Sequence, residues 1–242
     1  MLFLNSGLLN KKMTLSIIIP VYNEKNTISE ILKKIEQVNL NDFSLKKEII
    51  IVDDNSTDGT KEILAKLENK YKVIYQPKNQ GKGAAIRIAL KEVSGDYVII
   101  QDADLEYDPK DYKKLLEFAL KNNAQVVYGS RLLNHHNKFS HISFYLGGIF
   151  INWLTNFLYR IKITDESTCY KFFKTETIKS IPLKCERFEF CPEVTAKIAK
   201  RGIKIYEVPI NYYPRYINEG KKIKWRDGLV ALWTLIKYKF ID

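Results

Sequence analysis

The chain has 242 residues, of which 45% are hydrophobic, and a formal net charge of +11 at pH 7. The length fits one domain, or one domain with a substantial appendage, and the apolar content is ordinary for a globular core. The three cysteines are odd in number and include no Cys-x-x-Cys pair, which argues against a disulfide or zinc framework and favours a reducing compartment.

Residues 1–13 are interpreted as an extension ahead of the folded domain. Their apolar part is short, and the basic pair Lys11 and Lys12 follows it instead of preceding it, which does not fit a secretory signal. Met13 lies directly before the first predicted strand and is a second candidate start of the protein.

Short apolar strands then alternate with helical segments. The pattern predicts strands at residues 15–21, 48–52, 72–75 and 97–100, and helices at residues 26–38, 58–69 and 83–93. Thr57 is the predicted N-cap of the second helix. The alternation predicts an α/β fold with a mostly parallel sheet covered by helices on both faces.

Polar clusters follow three of these strands, at residues 22–24, 53–54 and 102–104. In parallel sheets of this kind, ligands bind beyond the carboxyl ends of the strands. Because the three clusters fall at those ends, they predict one shared binding site.

Asp102 and Asp104 are the most informative members of that site. Two carboxylates one residue apart, where the chain turns after a strand, can share one Mg²⁺ or Mn²⁺ ion that also takes phosphate oxygens from a substrate. An isolated Asp-x-Asp is more often a pair of exposed loop acids. The neighbouring polar clusters favour the metal site here.

Five motifs together resemble the family 2 glycosyltransferases with the GT-A fold, a Rossmann-like α/β architecture. They are Ile-Pro-Val-Tyr-Asn-Glu at residues 19–24, Val-Asp-Asp-Asn-Ser-Thr-Asp-Gly-Thr at 52–60, Asn-Gln-Gly-Lys-Gly at 79–83, Asp-Ala-Asp-Leu-Glu at 102–106 and Gly-Ser-Arg at 129–131. Their order and spacing are most similar to the polyprenyl-phosphate sugar synthases. The motifs are specific for nucleotide-sugar use and say less about the sugar or the acceptor.

The resemblance implies a nucleotide-sugar donor site. Its implied residues are Pro20, Tyr22, Glu24, Asp53, Asp54, Lys82, Asp102, Ala103 and Asp104. Tyr22 would stack near the base, and Asp53, with Asp54 a close second, would accept a hydrogen bond from a base N–H. For both acids, an Asx turn that closes the strand is the structural alternative.

The resemblance also implies a metal-dependent, inverting transfer. Asp102, Asp104 and Glu106 would hold Mg²⁺ or Mn²⁺, which offsets the negative charge that develops on the departing nucleotide. The candidate catalytic residues are Asp102, Asp104 and Arg131, with Glu193 as the candidate base if the acceptor is a hydroxyl.

Two acceptors remain open. A polyprenyl phosphate is already anionic, needs no general base, and would be positioned by Arg131, Arg215 and Lys221. A hydroxyl of a glycan would need a carboxylate to take its proton, and Glu193 and Asp165 are the candidates. As plain structure, Glu193 would be a first-turn helix charge and Asp165 a turn former.

An apolar segment at residues 142–159 contains Asn152, Thr155 and Asn156, and its uninterrupted apolar stretches are far shorter than the roughly 18 to 20 residues that a spanning helix needs. It is interpreted either as a helix at the headgroup level of a membrane or as a core helix.

Residues 221–240 interleave basic and aromatic side chains. Five apolar residues recur on one helical face, namely Leu229, Leu232, Trp233, Ile236 and Phe240. Such a helix suits the surface of an anionic membrane, and packing of the same face on the sheet is the alternative. The basic excess also suits nucleic acid, but no helix-turn-helix, zinc-finger or RNP signature is present, and we expect no nucleic-acid partner.

These observations divide the chain into a nucleotide-sugar-binding half at residues 14–131, an acceptor-side half at 132–224 and an amphipathic C-terminal helix at 225–242. We expect a transferase acting on a polyprenyl phosphate at the cytoplasmic face of the membrane, attached peripherally.

Overall fold

The computed structural model describes residues 13–215, 222–223 and 225–241. The predicted N-terminal extension, apart from Met13, lies outside the described residues, and so does the predicted phosphate ligand Lys221.

Within the described residues, seven strands form one sheet. The strands are β1 (Met13–Val21), β2 (Leu45–Asp53), β3 (Lys72–Tyr75), β4 (Tyr97–Ile100), β5 (Val126–Ser130), β6 (Lys171–Lys174) and β7 (Ile205–Pro209). Their order in space is β3-β2-β1-β4-β6-β5-β7. Only β6 runs antiparallel to its two neighbours among these pairings. The predicted mostly parallel sheet is therefore confirmed.

The helices cover this sheet. They are α1 (Ile28–Gln37), α2 (Thr60–Ala65), α3 (Lys82–Glu92), α4 (Tyr112–Lys121), α5 (Ile142–Tyr159), α6 (Thr175–Lys179), α7 (Phe190–Lys200) and α8 (Trp225–Phe240). In β1, the run Ile17, Ile18 and Ile19 is fully buried, as expected of a strand covered on both faces.

The predicted second helix is wrong at both ends. The helix begins at Thr60 after Gly59, which has a φ of 100°, and it ends at Ala65. Thr57 does not cap it. The side chain of Asp58 accepts the backbone N–H of Thr60 at 3.0 Å instead, so residues 54–59 form a loop after β2.

Helix α5 is amphipathic, but it turns its polar side to the protein and its apolar side outward. Its polar side chains face the protein, where Asn152 Oδ1 accepts the N–H of Glu166 at 2.8 Å and Asn156 Oδ1 accepts the N–H of Ile163 at 2.9 Å. Its outward stripe is apolar and each member is at least 40% exposed: Ile142, Leu146, Ile149, Phe150, Trp153 and Phe157. The core-helix interpretation of this segment is therefore wrong.

Helix α8 packs beside α5 with a second outward apolar face. Its buried side includes Leu235 and Tyr238, and the hydroxyl of Tyr159 in α5 donates to the carbonyl of Leu235 at 2.6 Å. Four of the five residues in its predicted apolar face are exposed, namely Leu229, Trp233, Ile236 and Phe240. These four do not pack on the sheet. Among the described residues, none of the helices combines the length and apolarity that crossing a bilayer requires.

Candidate functional site

The sheet brings the predicted polar clusters to one edge. Strands β2, β1 and β4 are parallel neighbours, so the segments that follow them lie side by side. Strand order reverses between β1 and β4, since β2 and β3 lie on one side and later strands on the other. Such a reversal opens a crevice at the carboxyl ends of the strands.

Asp102 and Asp104 lie in this crevice, and their side chains have different hydrogen-bond partners. The ammonium of Lys82 lies 2.6 Å from Oδ1 and 2.7 Å from Oδ2 of Asp102. Within the described residues, the carboxylate of Asp104 accepts only one hydrogen bond, from the backbone N–H of Glu106 at 3.1 Å. Burial first, and then the charges of Asp102 and Glu106, raise the pKa of Asp104 to about 8.

Leu105, between the acids, has a φ of 66°. This left-handed conformation is uncommon for a residue with a side chain, and strain of this kind concentrates at functional sites. The turn at Leu105 lets the carboxylate of Asp104 accept the backbone N–H of Glu106, two residues further along the chain.

Glu106 has contacts that do not fit the predicted metal-ligand role. Its carboxylate accepts the hydroxyl of Tyr212 at 2.9 Å and the backbone N–H of Arg215 at 2.7 Å. In the part of the chain that the structure describes, no three or more His, Cys, Asp or Glu side chains are grouped to hold a metal ion. Glu106 as a third ligand therefore stays a prediction, and Asp102 with Asp104 is the pair of carboxylates without these contacts.

Asp53 and Asp54, adjacent at the end of β2, differ in what they bind. Asp54 accepts the side-chain amide of Gln76 and the backbone N–H groups of Gln80 and Gly81, at 2.7 to 2.8 Å. Asp53 is fully buried; its Oδ2 accepts the N–H of Ser56 at 3.0 Å, and its Oδ1 has no hydrogen-bond partner among the described residues. Asp54 therefore organises the loop, whereas Asp53 keeps an unused acceptor.

Glu24 joins three segments of the site. Arg215 Nη2 lies 2.9 Å from Glu24 Oε2, Lys222 Nζ lies 2.7 Å from Oε1, and Thr27 donates its hydroxyl at 2.6 Å. Burial alone would raise the pKa of Glu24, but these partners outweigh burial and lower it. Lys222 also lies 5.8 Å from the centre of the Tyr22 ring. Sequence reasoning missed Lys222, whose basic neighbours in the tail gave no signal to single it out.

Arg131 and Asp165, predicted for separate acceptor roles, bind each other. Arg131 Nε and Nη2 donate to the two carboxylate oxygens of Asp165 at 2.8 and 2.7 Å, and the backbone N–H of Arg131 adds a third bond at 2.9 Å. Asp165 is 2% exposed. A carboxylate held in this way is poorly placed to take a proton from an acceptor, so the structure does not support Asp165 as a base.

Glu193 is fully buried at the start of α7. Its carboxylate accepts the backbone N–H groups of Lys184 and Cys185 at 2.8 and 2.6 Å, and the ammonium of Lys197 at 2.5 Å. Both oxygens are occupied and neither reaches solvent. These contacts favour a structural role of Glu193 over the predicted catalytic one.

The remaining predicted donor residues lie in the same crevice. Pro20 is partly buried near the end of β1, Tyr22 is partly buried just beyond it, and Ala103 is 3% exposed between the two acids. Arg215 reaches this crevice too, because its Nε donates to the carbonyl of Asp104 at 2.7 Å.

Comparison with known proteins identifies relatives across most of the chain. The family model described as glycosyl transferase family 2 matches residues 16–181. A dolichol-phosphate mannosyltransferase of Pyrococcus furiosus is 32% identical over 217 residues, which are 86% of this chain and 59% of that protein. A dolichyl-phosphate beta-glucosyltransferase of Trichomonas vaginalis is 31% identical over 241 residues, which are 92% of this chain and 72% of that protein.

Among solved structures, the chain is similar to glucosyl-3-phosphoglycerate synthase from Mycobacterium tuberculosis in complex with Mn²⁺ and UDP-glucose. The TM-score is 0.71 at 20% identity, and the match covers 95% of this chain and 80% of that one. At this identity the similarity establishes the fold, which is the predicted GT-A architecture.

Proposed function

The chain belongs to glycosyltransferase family 2, and from this membership we propose that it transfers a sugar from a nucleotide-sugar to a polyprenyl phosphate, with inversion at the anomeric carbon. The observation that carries the proposal is the convergence of Glu24, Asp53, Asp102 and Asp104 at the one edge of the sheet where strand order reverses. The chain spans little more than half of the Pyrococcus relative, whose name supplies the acceptor class.

The donor's base is assigned to Asp53. A fully buried carboxylate oxygen without a partner is costly unless a ligand supplies the missing donor, and a base N–H is such a donor. Asp54 has no comparable free oxygen, because Gln76, Gln80 and Gly81 occupy its carboxylate. Between the two predicted acids, the contacts favour Asp53.

The donor's diphosphate is assigned to Asp102 and Asp104 through Mg²⁺ or Mn²⁺. Hard oxygen ligands from two carboxylates suit these ions, which commonly bind one or two carboxylates plus substrate phosphates. Burial, and then the charges of Asp102 and Glu106, raise the pKa of Asp104, and a divalent cation would offset this repulsion between carboxylates. When bound, the ion supplies Lewis-acid stabilisation of the departing diphosphate.

A phosphate acceptor fits the contacts better than a hydroxyl. Transfer to a hydroxyl needs a carboxylate free to take a proton, but Asp165 is bound to Arg131 and Glu193 is enclosed by Lys197 and two backbone N–H groups. An anionic acceptor needs only cations. We propose that Arg131 and Arg215, which are paired here with Asp165 and Glu24, position it. Lys221 stays a prediction outside the described residues.

The outward faces of α5 and α8 support a peripheral position on the membrane surface, which we place at the cytoplasmic face. Exposed aromatic residues occupy both helices, including Trp153 and Phe157 in α5 and Trp233 and Phe240 in α8. Lys237 and Lys239 lie exposed on the last turn of α8. Aromatic and basic side chains on an amphipathic surface bind anionic lipid interfaces.

A donor and acceptor panel tests the proposed reaction. UDP- and GDP-linked sugars are supplied with Mn²⁺ and either a short polyprenyl phosphate or the matching polyprenol, and both the product and the released nucleotide are measured. We expect transfer to the phosphate and not to the alcohol. Transfer to the alcohol at a comparable rate would instead establish a hydroxyl acceptor, and absence of transfer with every pair would contradict the proposal.

Replacing Asp53 with Asn tests the base-binding assignment. The amide can keep the bond to Ser56 only by turning its NH₂ toward the position of the base donor, so nucleotide affinity should fall by about 10- to 100-fold. Calorimetric titration with the nucleoside diphosphate measures the change. Asp54→Asn is the matched control: it should lower the melting temperature more than Asp53→Asn does, because it disturbs the bonds to Gln80 and Gly81.

Membrane binding is tested with vesicles of phosphatidylglycerol. We expect the protein to sediment with them, and the double variant Trp153→Ser/Trp233→Ser to bind at least about tenfold more weakly, since each exposed ring would bury apolar area in the interface. Tyr75→Ser removes one exposed ring from β3 and should leave vesicle binding unchanged. Equal binding by the double variant would remove the support for this orientation.

A further inference from the structure

Lys82 binds the residue that the proposed function gives to a metal ion. Its ammonium is within 2.7 Å of both carboxylate oxygens of Asp102. The side chains of Lys82 and Asp102 are only 17% and 20% exposed, so solvent screens the pair weakly. Lys82 therefore occupies the coordinating face of Asp102.

Backbone contacts hold the Lys82 segment from two sides. On one side, the carboxylate of Asp54 accepts the N–H groups of Gln80 and Gly81. On the other, the carbonyl of Arg187 accepts the N–H of Gly83 at 3.0 Å, and the carbonyl of Glu186 accepts the N–H of Ala84 at 2.9 Å.

The backbone of this segment packs closely against residues 186–187. A Cβ atom added at Gly81 would lie 2.6 Å from the carbonyl oxygen of Glu186, and one at Gly83 would lie 2.9 Å from that of Arg187. Lys82 thus extends from a backbone held by these bonds, and a rotation of its own side chain is enough for it to change partner.

The location of Lys82 is locally unfavourable without an anion. It is the first residue of α3, and no acidic residue lies in the first turn of that helix. A cation at the positive end of a helix dipole is destabilising, which Asp102 offsets. A local rule broken in this way is typical of a functional position.

We propose that Lys82 competes with divalent cations for Asp102 and so makes metal binding depend on the donor, whose diphosphate draws the ammonium away. This inference rests on the proposed function and adds an order of assembly to it. Because Lys82 Nζ lies on both carboxylate oxygens of Asp102, an ion at the same oxygens meets its positive charge at close range and binds more weakly while Lys82 is in place. Because coupling between two ligands is reciprocal, the same exchange strengthens donor binding when the metal is present.

A Mn²⁺ titration, followed by the electron paramagnetic resonance signal of the free ion, tests the inference without turnover. In the absence of nucleotide, Lys82→Met should bind Mn²⁺ about tenfold more tightly than the parent protein, within the usual range for coupled sites. Lys82→Arg keeps the charge and should bind like the parent. Lys72→Met, which removes a lysine paired with Glu92 on the surface, controls for net charge and should also bind like the parent.

The titration is repeated with GDP or UDP. The nucleotide should increase the Mn²⁺ affinity of the parent protein, and this increase should be about tenfold smaller in Lys82→Met. Lys82→Gln provides a second neutral variant if Lys82→Met has an altered melting curve. The inference is overturned if both neutral variants, without nucleotide, bind Mn²⁺ no more tightly than the parent protein while nucleotide still increases their affinity for the ion. That outcome leaves the proposed function standing. Absence of Mn²⁺ binding by every protein, with and without nucleotide, overturns both.

Discussion

Asp104→Asn should lower the rate of sugar transfer by about 10³-fold, the loss expected when a group that stabilises transition-state charge is removed. The amide preserves the shape of the side chain and can still accept the N–H of Glu106. What it lacks is the negative charge that holds a divalent cation on the diphosphate. The measurement is kcat with the preferred nucleotide-sugar and saturating Mn²⁺.

The stability of the same variant should not fall together with its activity. The ordinary pKa of this carboxyl is 3.8 and the folded value is about 8, so the folded state loses stability as the pH rises from the first value through the second. Asn removes that loss, and the melting temperature at pH 8 should not fall. A large loss of transfer without a loss of stability would exclude unfolding as the cause.

Asp108→Asn is the matched control for this prediction. Asp108 lies on the same loop, but its carboxylate accepts the N–H of Lys110 at 3.0 Å at the start of a 3₁₀ turn. It should keep most of its activity. If Asp104→Asn retained activity as well as this control does, the metal assignment would be wrong.

The sequence predicted the sheet edge well because that edge depends on local signals. The runs at residues 72–75 and 97–100 coincide with β3 and β4, and the helices predicted at 26–38 and 83–93 are each within two residues of α1 and α3. In a parallel sheet, the carboxyl ends of neighbouring strands must meet. Recognising the strands was therefore enough to bring Asp53 and Asp102 to one crevice.

Pairings between distant residues were not predictable from spacing. Glu24 and Arg215 are 191 residues apart in the chain, and Arg131 and Asp165 are 34 apart. Each was recognised as a candidate, but a single sequence does not say that one candidate neutralises another. The antiparallel strand β6, inserted between β4 and β5, accounts for the second pairing because it brings residues 165–171 to the edge where the parallel strands end.

Glu193→Gln should destabilise the protein by about 3–5 kcal/mol, as expected when one partner of a buried ion pair is removed. Lys197 would remain 4% exposed without its counter-charge, and one of the backbone N–H groups of Lys184 and Cys185 would face the NH₂ of the new amide. Thermal and urea denaturation measure the change.

Burial raises the pKa of Glu193, but Lys197 and the backbone donors outweigh burial and lower it below 4.5. The stability that this carboxylate contributes is therefore present above pH 4.5 and is lost as the pH falls further.

Because this loss of stability would also lower activity, Glu193→Gln alone does not tell a base from a structural carboxylate. The double variant Glu193→Gln/Lys197→Met does. Replacing Lys197 removes the unpaired charge, so stability should recover by about half, and only the cost of one unsatisfied N–H of about 1–3 kcal/mol should remain. If Glu193 is structural, transfer measured below the melting transition recovers with stability. If Glu193 takes a proton from a hydroxyl acceptor, the double variant folds and stays inactive. Recovery of transfer would leave an acceptor that arrives already charged, as a polyprenyl phosphate does, because no proton then has to be removed.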